Sequence, residues 1–274
     1  MDIKAFKMDG LGNDFVIIDQ RNKNINLSKD QIIKICDRSY IGCDQLILIK
    51  KNRKIDAGLE FYNSDGSVSE ACGNGTRCVA DLLAKENNKK EITVWTSSGS
   101  LKSNILAKNL VETEIGIPKT NWDEIPLNKN IDTKNLNIKI MNKNNEEHIG
   151  GTAINVGNPH IIFFVNDIEI FDLKKIGPEI ENHEFFPKKC NVTLAKVINK
   201  NLIKVKVWER GAGLTKACGT AACATAVAGN IKGLVEKQVE IEFPLGKLSI
   251  SIDEKNSIHM KGPVSNIKNI EIKL

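Results

Sequence analysis

Polar residues recur in this chain at a nearly constant distance, and that recurrence limits the fold more than any other feature. Asn13 stands in Gly-Asn-Asp-Phe, and Asn158, 145 residues later, stands in Gly-Asn-Pro-His. Cys72 heads Cys-Gly-Asn-Gly, and Cys218, 146 residues later, heads Cys-Gly-Thr-Ala. Asn63 and Glu209 share the offset of 146, as do Gln45 and Asn191. The expected elements repeat as well. Each half reads as strands, a helix, two strands, a glycine-rich loop, a second helix and three strands. The second helices are expected over about 73–86 and 219–228, and one long strand over 148–156. Constant offsets between polar residues at strand ends and loops imply two copies of one domain.

The expected fold class is α/β of the α+β type, with two pseudo-symmetric domains. The first takes residues 1–117 plus 263–274 and carries Cys72; the second takes 118–262 and carries Cys218. The tail falls outside the second copy, so it is expected to return to the first as a strand. The stretch from Pro118 to Asn135 has two prolines, many Asn and Lys residues and little periodicity, and reads as the crossing between copies.

Composition narrows the function. With 274 residues, 41% hydrophobic and 27% charged, the chain can bury full cores. The formal charge of +5 comes from lysines scattered among acids, without a basic run, so nucleic acid is not expected as a partner. No stretch has the length of a membrane span, and the first residues lack an apolar signal core. The expected location is cytoplasmic, with no membrane partner. Seven cysteines, an odd number, do not suggest a disulfide framework. Cys72 and Cys78 have five residues between them, Cys218 and Cys223 four, and no histidine sits at finger spacing, so no metal is expected.

Two of the cysteines carry a chemical reading. Ala71-Cys72-Gly73-Asn74-Gly75 and Ala217-Cys218-Gly219-Thr220-Ala221 each place a thiol at the start of an expected helix. Glycine lets backbone approach a ligand, and the first helical amides can hold an anion such as an α-carboxylate. The same helix end is expected to lower the thiol pKa towards neutrality. Two such loops suit inversion at an α-carbon, where one group removes a proton and another delivers one to the opposite face. The charge left on the carboxylate would rest on helix amides, with no carbonyl cofactor. The alternative for any cysteine is a small buried helix residue. That reading is preferred for Cys78 and Cys223, and Cys36, Cys43 and Cys190 also read as structural. Nucleophilic cysteine catalysis would need a histidine base, and only His160 adjoins a site motif.

With Gly12-Asn13-Asp14-Phe15, Asn63-Ser64-Asp65-Gly66-Ser67, Glu70 through Cys78, Gly157-Asn158-Pro159-His160, and Glu209 through Thr220, the chain resembles the diaminopimelate epimerases along essentially its whole length. The resemblance implies two similar domains, each a mostly antiparallel sheet wrapped around a central helix, with the active site in the cleft between them. It implies interconversion of LL- and meso-2,6-diaminopimelate in lysine and peptidoglycan precursor biosynthesis, without pyridoxal phosphate or metal, by a homodimer. Carried over by motif, Cys72 and Cys218 are the acid/base pair. Gly73, Asn74, Gly219 and Thr220 would bind the reacting carboxylate. Asn13, Gln45, Asn63, Asn158, Asn191, Glu209 and Arg210 would hold the rest, with His160 as a supporting residue. Glu209 suits an ammonium, and Arg210 a carboxylate. Gln45 follows Gly42-Cys43-Asp44, where the family often has alanine in place of Cys43. Three rivals remain: a proline or hydroxyproline racemase, which typically has histidine where Asn74 stands; an isomerase of the same fold lacking the thiol pair; and an amino-acid-binding protein without catalysis.

Overall fold

The computed structural model describes residues 2–69, 72–97 and 99–274. Glu70 and Ala71 of the first cysteine motif, and Ser98 of an expected Ser98-Gly99 turn, lie outside the described residues. The chain divides into two compact units: Met1–Glu114 with Lys261–Leu274, and Ile115–Met260.

The first unit runs β1 (Asp2–Gly10), β2 (Asn13–Asp19), α1 (Lys29–Cys36), β3 (Gln45–Lys50), β4 (Ala57–Asn63), β5 (Val68–Ser69), α2 (Gly73–Asn87), β6 (Glu91–Thr96), β7 (Gly99–Ala107) and β8 (Leu110–Gly116). Its neighbouring strands pair antiparallel, except that β2 runs parallel to β3 and β4 parallel to β6. Each parallel step is bridged by a helix, as parallel crossovers require.

The second unit runs β9 (Ile138–Met141), β10 (Glu147–Gly150), β11 (Thr152–Asn155), β12 (Pro159–Phe164), α3 (Leu173–Glu181), β13 (Asn191–Asn199), β14 (Leu202–Glu209), β15 (Gly213–Thr215), α4 (Gly219–Ile231), β16 (Gln238–Phe243), β17 (Gly246–Ile252) and β18 (Ile258–Pro263). From β11 onward it repeats the first unit's plan. The parallel steps fall again where helices intervene, between β12 and β13 and between β14 and β16. The last strand, β19 (Lys268–Lys273), pairs antiparallel with β1.

Hydrophobic patterning explains the layers. β2 and β3 are apolar at successive positions, so both of their faces are covered. Phe15, Ile17 and Ile47 pack with Val79, Leu82 and Leu83 of α2. Val16, Ile18, Leu46 and Leu48 alternate onto the opposite face, with Ile32 and Ile35 of α1 and Ile272 of β19. A Ser28–Gln31 capping box starts α1. The central helices are enclosed. α4 buries almost every side chain from Gly219 to Gly229, and its alanines let strands approach from several sides. At Gly75, in the first turn of α2, a β-carbon would lie 2.8 Å from Ile47 and 3.0 Å from Phe61. Glycine there lets the cysteine end of the helix press onto the sheet.

The long strand expected over 148–156 is two strands. Gly151, with φ of +104°, breaks it, and a β-carbon there would stand 2.8 Å from Ile161. β10 then pairs with β9 in a separate ribbon while β11 joins the main sheet beside β12. The short strands β5 and β15 lie in segments read as loops; each folds back on the strand before it.

Candidate functional site

Cys72 and Cys218 are the N-cap residues of α2 and α4, with nearly the same backbone conformation: φ −136°, ψ 111° and φ −141°, ψ 115°. Neither side chain caps its own helix. The amides of Gly73, Asn74 and Gly75, and of Gly219, Thr220 and Ala221, precede the first helical hydrogen bonds, which Thr76 and Ala222 donate to the cysteine carbonyls. Each unit therefore presents a thiol beside a helix N-terminus, where a negative charge is stabilised.

Around Cys72 the first unit gathers Asn13 and Asn74. The thiol donates to Asn13 Oδ1 at 3.5 Å, and Asn74 Nδ2 donates to the same oxygen at 3.4 Å. Gln45 Nε2 donates to Asn63 Oδ1 at 2.9 Å, and Asn63 Nδ2 donates to Ser67 Oγ. Register makes the second group: Gln45 stands directly opposite Asn63 across β3 and β4.

The second unit is built differently. Cys218 Sγ lies 3.4 Å from Thr220 Oγ1. Asn158 Oδ1 and His160 Nε2 are 2.8 Å apart. Asn191 is buried; its Nδ2 donates to Pro159 O at 2.9 Å, and its Oδ1 accepts from the Arg210 amide at 3.0 Å. Most of its polar capacity thus holds two backbone segments in place. Arg210 Nη1 donates to Lys188 O.

Electrostatics corrects one expectation. The helix end does not bring the Cys218 thiol towards neutrality. Burial and the Glu209 carboxylate push it well above the usual thiol value, outweighing the Thr220 hydroxyl and the Ala221 amide. Cys78 and Cys190 are buried inside their units, and burial raises both. Burial also lowers His160 to about 3, with Arg210 adding to the effect, so its imidazole is neutral. Its Nδ1 has no partner among the described residues. A neutral, enclosed imidazole orients Asn158 and is a poor proton carrier at neutral pH.

Three residues to which the sequence reading gave no site role organise the site. Asp44 accepts from Asn13 Nδ2 and from the Asp14 amide, both at 3.0 Å, and Arg38 grips both aspartates. In the second unit, buried Glu181 accepts from Trp208 Nε1 at 2.7 Å and from the Gly211 amide at 3.1 Å. Asp44 adjoins Gln45 in sequence, which was the available signal. Nothing local marks Arg38 or Glu181. Among the described residues, no cluster of His, Cys, Asp or Glu side chains is grouped to hold a metal, and no helix is long and apolar enough to cross a membrane.

Comparison with known proteins adds independent findings. A family model described as diaminopimelate epimerase matches residues 5–120 and 152–267. The chain is 79% identical to a diaminopimelate epimerase of Pelagibacter ubique, with 100% of both chains covered. It is 40% identical to one from Acidiphilium cryptum, over 94% of this chain and 92% of that one. A solved hydroxyproline epimerase from Agrobacterium vitis superposes with a TM-score of 0.71 at 11% identity, covering 99% and 92% of the two chains. At that identity the likeness concerns the fold alone.

Proposed function

This chain belongs to the diaminopimelate epimerase family, and we propose that Cys72 and Cys218 are the acid/base pair with which it inverts an α-carbon. The protein is an isomerase that interconverts LL- and meso-2,6-diaminopimelate in lysine biosynthesis. The observation that carries the assignment of the thiols is their shared N-cap geometry at equivalent places in two repeated domains.

In this reading one sulfur takes the α-proton while the other donates a proton to the opposite face. The reacting carboxylate sits on the amides of Gly73 and Asn74 and of Gly219 and Thr220, where the developing enolate charge is stabilised. Cys218, which burial and Glu209 keep in the thiol form, is prepared as a proton donor. Glu209 takes the distal ammonium, and Arg210 the distal carboxylate. Asn13, Gln45, Asn63 and Asn158 supply further donors and acceptors, and Asn191 holds the Arg210 backbone. The enzyme needs no cofactor or metal, works in the cytoplasm and acts as a homodimer. Light scattering at assay concentration that gives a monomer mass would contradict the last point.

Incubation with LL-diaminopimelate in deuterated water, without added cofactor, should yield meso product labelled at one α-carbon. L-Proline should remain unlabelled. Label in proline alone would move the chain to the racemases, and no exchange with either would leave a binding protein.

The Glu209 charge gives a pH test on ligand-free protein. A negative neighbour disfavours a thiolate, so Glu209→Gln should shift the pH midpoint for modification of Cys218 by a small thiol reagent to lower pH. Burial persists in the variant, so the midpoint should stay above that of an exposed thiol. An unmoved or rising midpoint would show that Glu209 does not govern this sulfur.

A further inference from the structure

Two side-chain amides beside Cys72 are each held in one orientation by a charged residue. Arg77 is fully buried in α2, and its Nη2 donates to Asn74 Oδ1 at 2.9 Å. A guanidinium only donates, so the oxygen of Asn74 must face it and the NH2 must face away. At the other end, Asn13 Nδ2 donates to Asp44 Oδ2 at 3.0 Å. A carboxylate only accepts, so the NH2 of Asn13 must face it and the oxygen must face away. The chain of hydrogen bonds therefore has one direction, from Arg77 through Asn74 and Asn13 to Asp44. Arg38 donates to the second oxygen of Asp44 at 2.6 Å and closes it. The oxygen of Asn13 is left facing Cys72 Sγ at 3.5 Å, where it accepts the thiol proton.

We propose that Asp44 is a positioning residue for the reaction: by fixing the Asn13 amide, it presents an oxygen rather than an NH2 to the Cys72 sulfur. The proposal rests on the assignment of Cys72 as an acid/base group. When Cys72 acts as base, the α C–H bond breaks, the S–H bond forms, and the electron pair stays on the α-carbon and its carboxylate. A sulfur facing an NH2 would be eased as a thiolate and would hold the proton less well. A sulfur facing an oxygen is a stronger base, and its new S–H has an acceptor waiting.

The test is Cys72 alkylation by iodoacetamide across pH in full-length, substrate-free protein, resolved by peptide mass spectrometry. α2 packs against β1 and β2. It also packs against β6 and β7. The charged groups are Asp2, Lys4, Lys7 and Asp9 on β1, Asp14 and Asp19 on β2, Arg77, Asp81, Lys85 and Glu86 on α2, Glu91 on β6, Lys102 on β7, and Arg38 and Asp44 before β3, and only Asp44 is changed in the key variant. Asn13→Ala removes the acceptor, so its midpoint should fall by about 0.5–1 pH unit, the scale of one hydrogen bond. Asp44→Asn, able to donate or accept, should lower it in the same direction by less. Asp44→Glu should restore it. In turnover, Asp44→Asn should reduce kcat about tenfold, one hydrogen bond's equivalent at the barrier, with KM little changed. Midpoints that stay fixed or rise in both variants would overturn the role of Asp44. Normal epimerisation by Cys72→Ala would instead overturn the assignment on which it rests.

Discussion

Alanine at either Cys72 or Cys218 is expected to reduce kcat/KM for diaminopimelate epimerisation by about 10³-fold or more. A positioned acid or base is worth roughly 10²–10⁴-fold, and inversion uses one at each face. Water can reach only a substitute role, since it lacks both the fixed position and the helix-end stabilisation of the charge. The two variants should differ in one respect. A lone remaining sulfur can remove and return a proton on its own face, so residual solvent exchange should appear without inversion. That exchange should favour one stereoisomer in Cys72→Ala and the other in Cys218→Ala. Near-normal turnover by either variant, or the same stereoisomer exchanging in both, would remove the two-base assignment.

The second large effect is expected at Glu181, a residue with no part in the chemistry. Its buried carboxyl group accepts from the Trp208 indole and the Gly211 amide, and Lys189 approaches at 3.9 Å from the exposed side. Alanine there removes both acceptors and leaves a void beside Trp208. An unpaired buried donor costs about 1–3 kcal/mol; the Trp208 indole and the Gly211 amide are only part-buried, so each takes the lower part of that range, about 1–2 kcal/mol, and Glu181→Ala should lose roughly 2–4 kcal/mol. At about 2–4 °C per kcal/mol for a domain of this size, the melting temperature should fall by roughly 5–15 °C. The loop from Glu209 to Gly213 is also tied at Arg210, through its amide to Asn191 and its guanidinium to Lys188 O. With one anchor gone, KM for diaminopimelate should rise about tenfold while kcat changes less. Glu181→Gln keeps one acceptor and should fall between. A Glu181→Ala variant with unchanged melting and KM would show that the loop is held elsewhere.

These cases mark how far the sequence could be read. The cysteine loops were legible because their signal is local: a thiol, an adjacent glycine and the onset of a helix lie within five residues. The repeat was legible because its copies keep their spacing. The break at Gly151 was missed although Gly150-Gly151 is a local turn signal, because the apolar residues on either side read as one strand. The structure shows the reason for it: Gly151 takes a φ of +104°, and Ile161 of β12 leaves no room there for a β-carbon. The thiol pKa was misjudged at Cys218 because the helix end is visible in sequence and burial is not.

From the sequence alone followed two copies of one domain, a sulfur at the head of each central helix, and kinship with the diaminopimelate epimerases. The tertiary structure decided which charges act on those sulfurs. Asn13 meets Asp44 because β2 and β3 lie parallel, with Phe15 opposite Gln45. Glu181 meets Gly211 because α3 packs beside β14 and β15. Helix starts are set by neighbours along the chain. Hydrogen-bond direction and solvation are set by neighbours in space, which come from sheet register and packing.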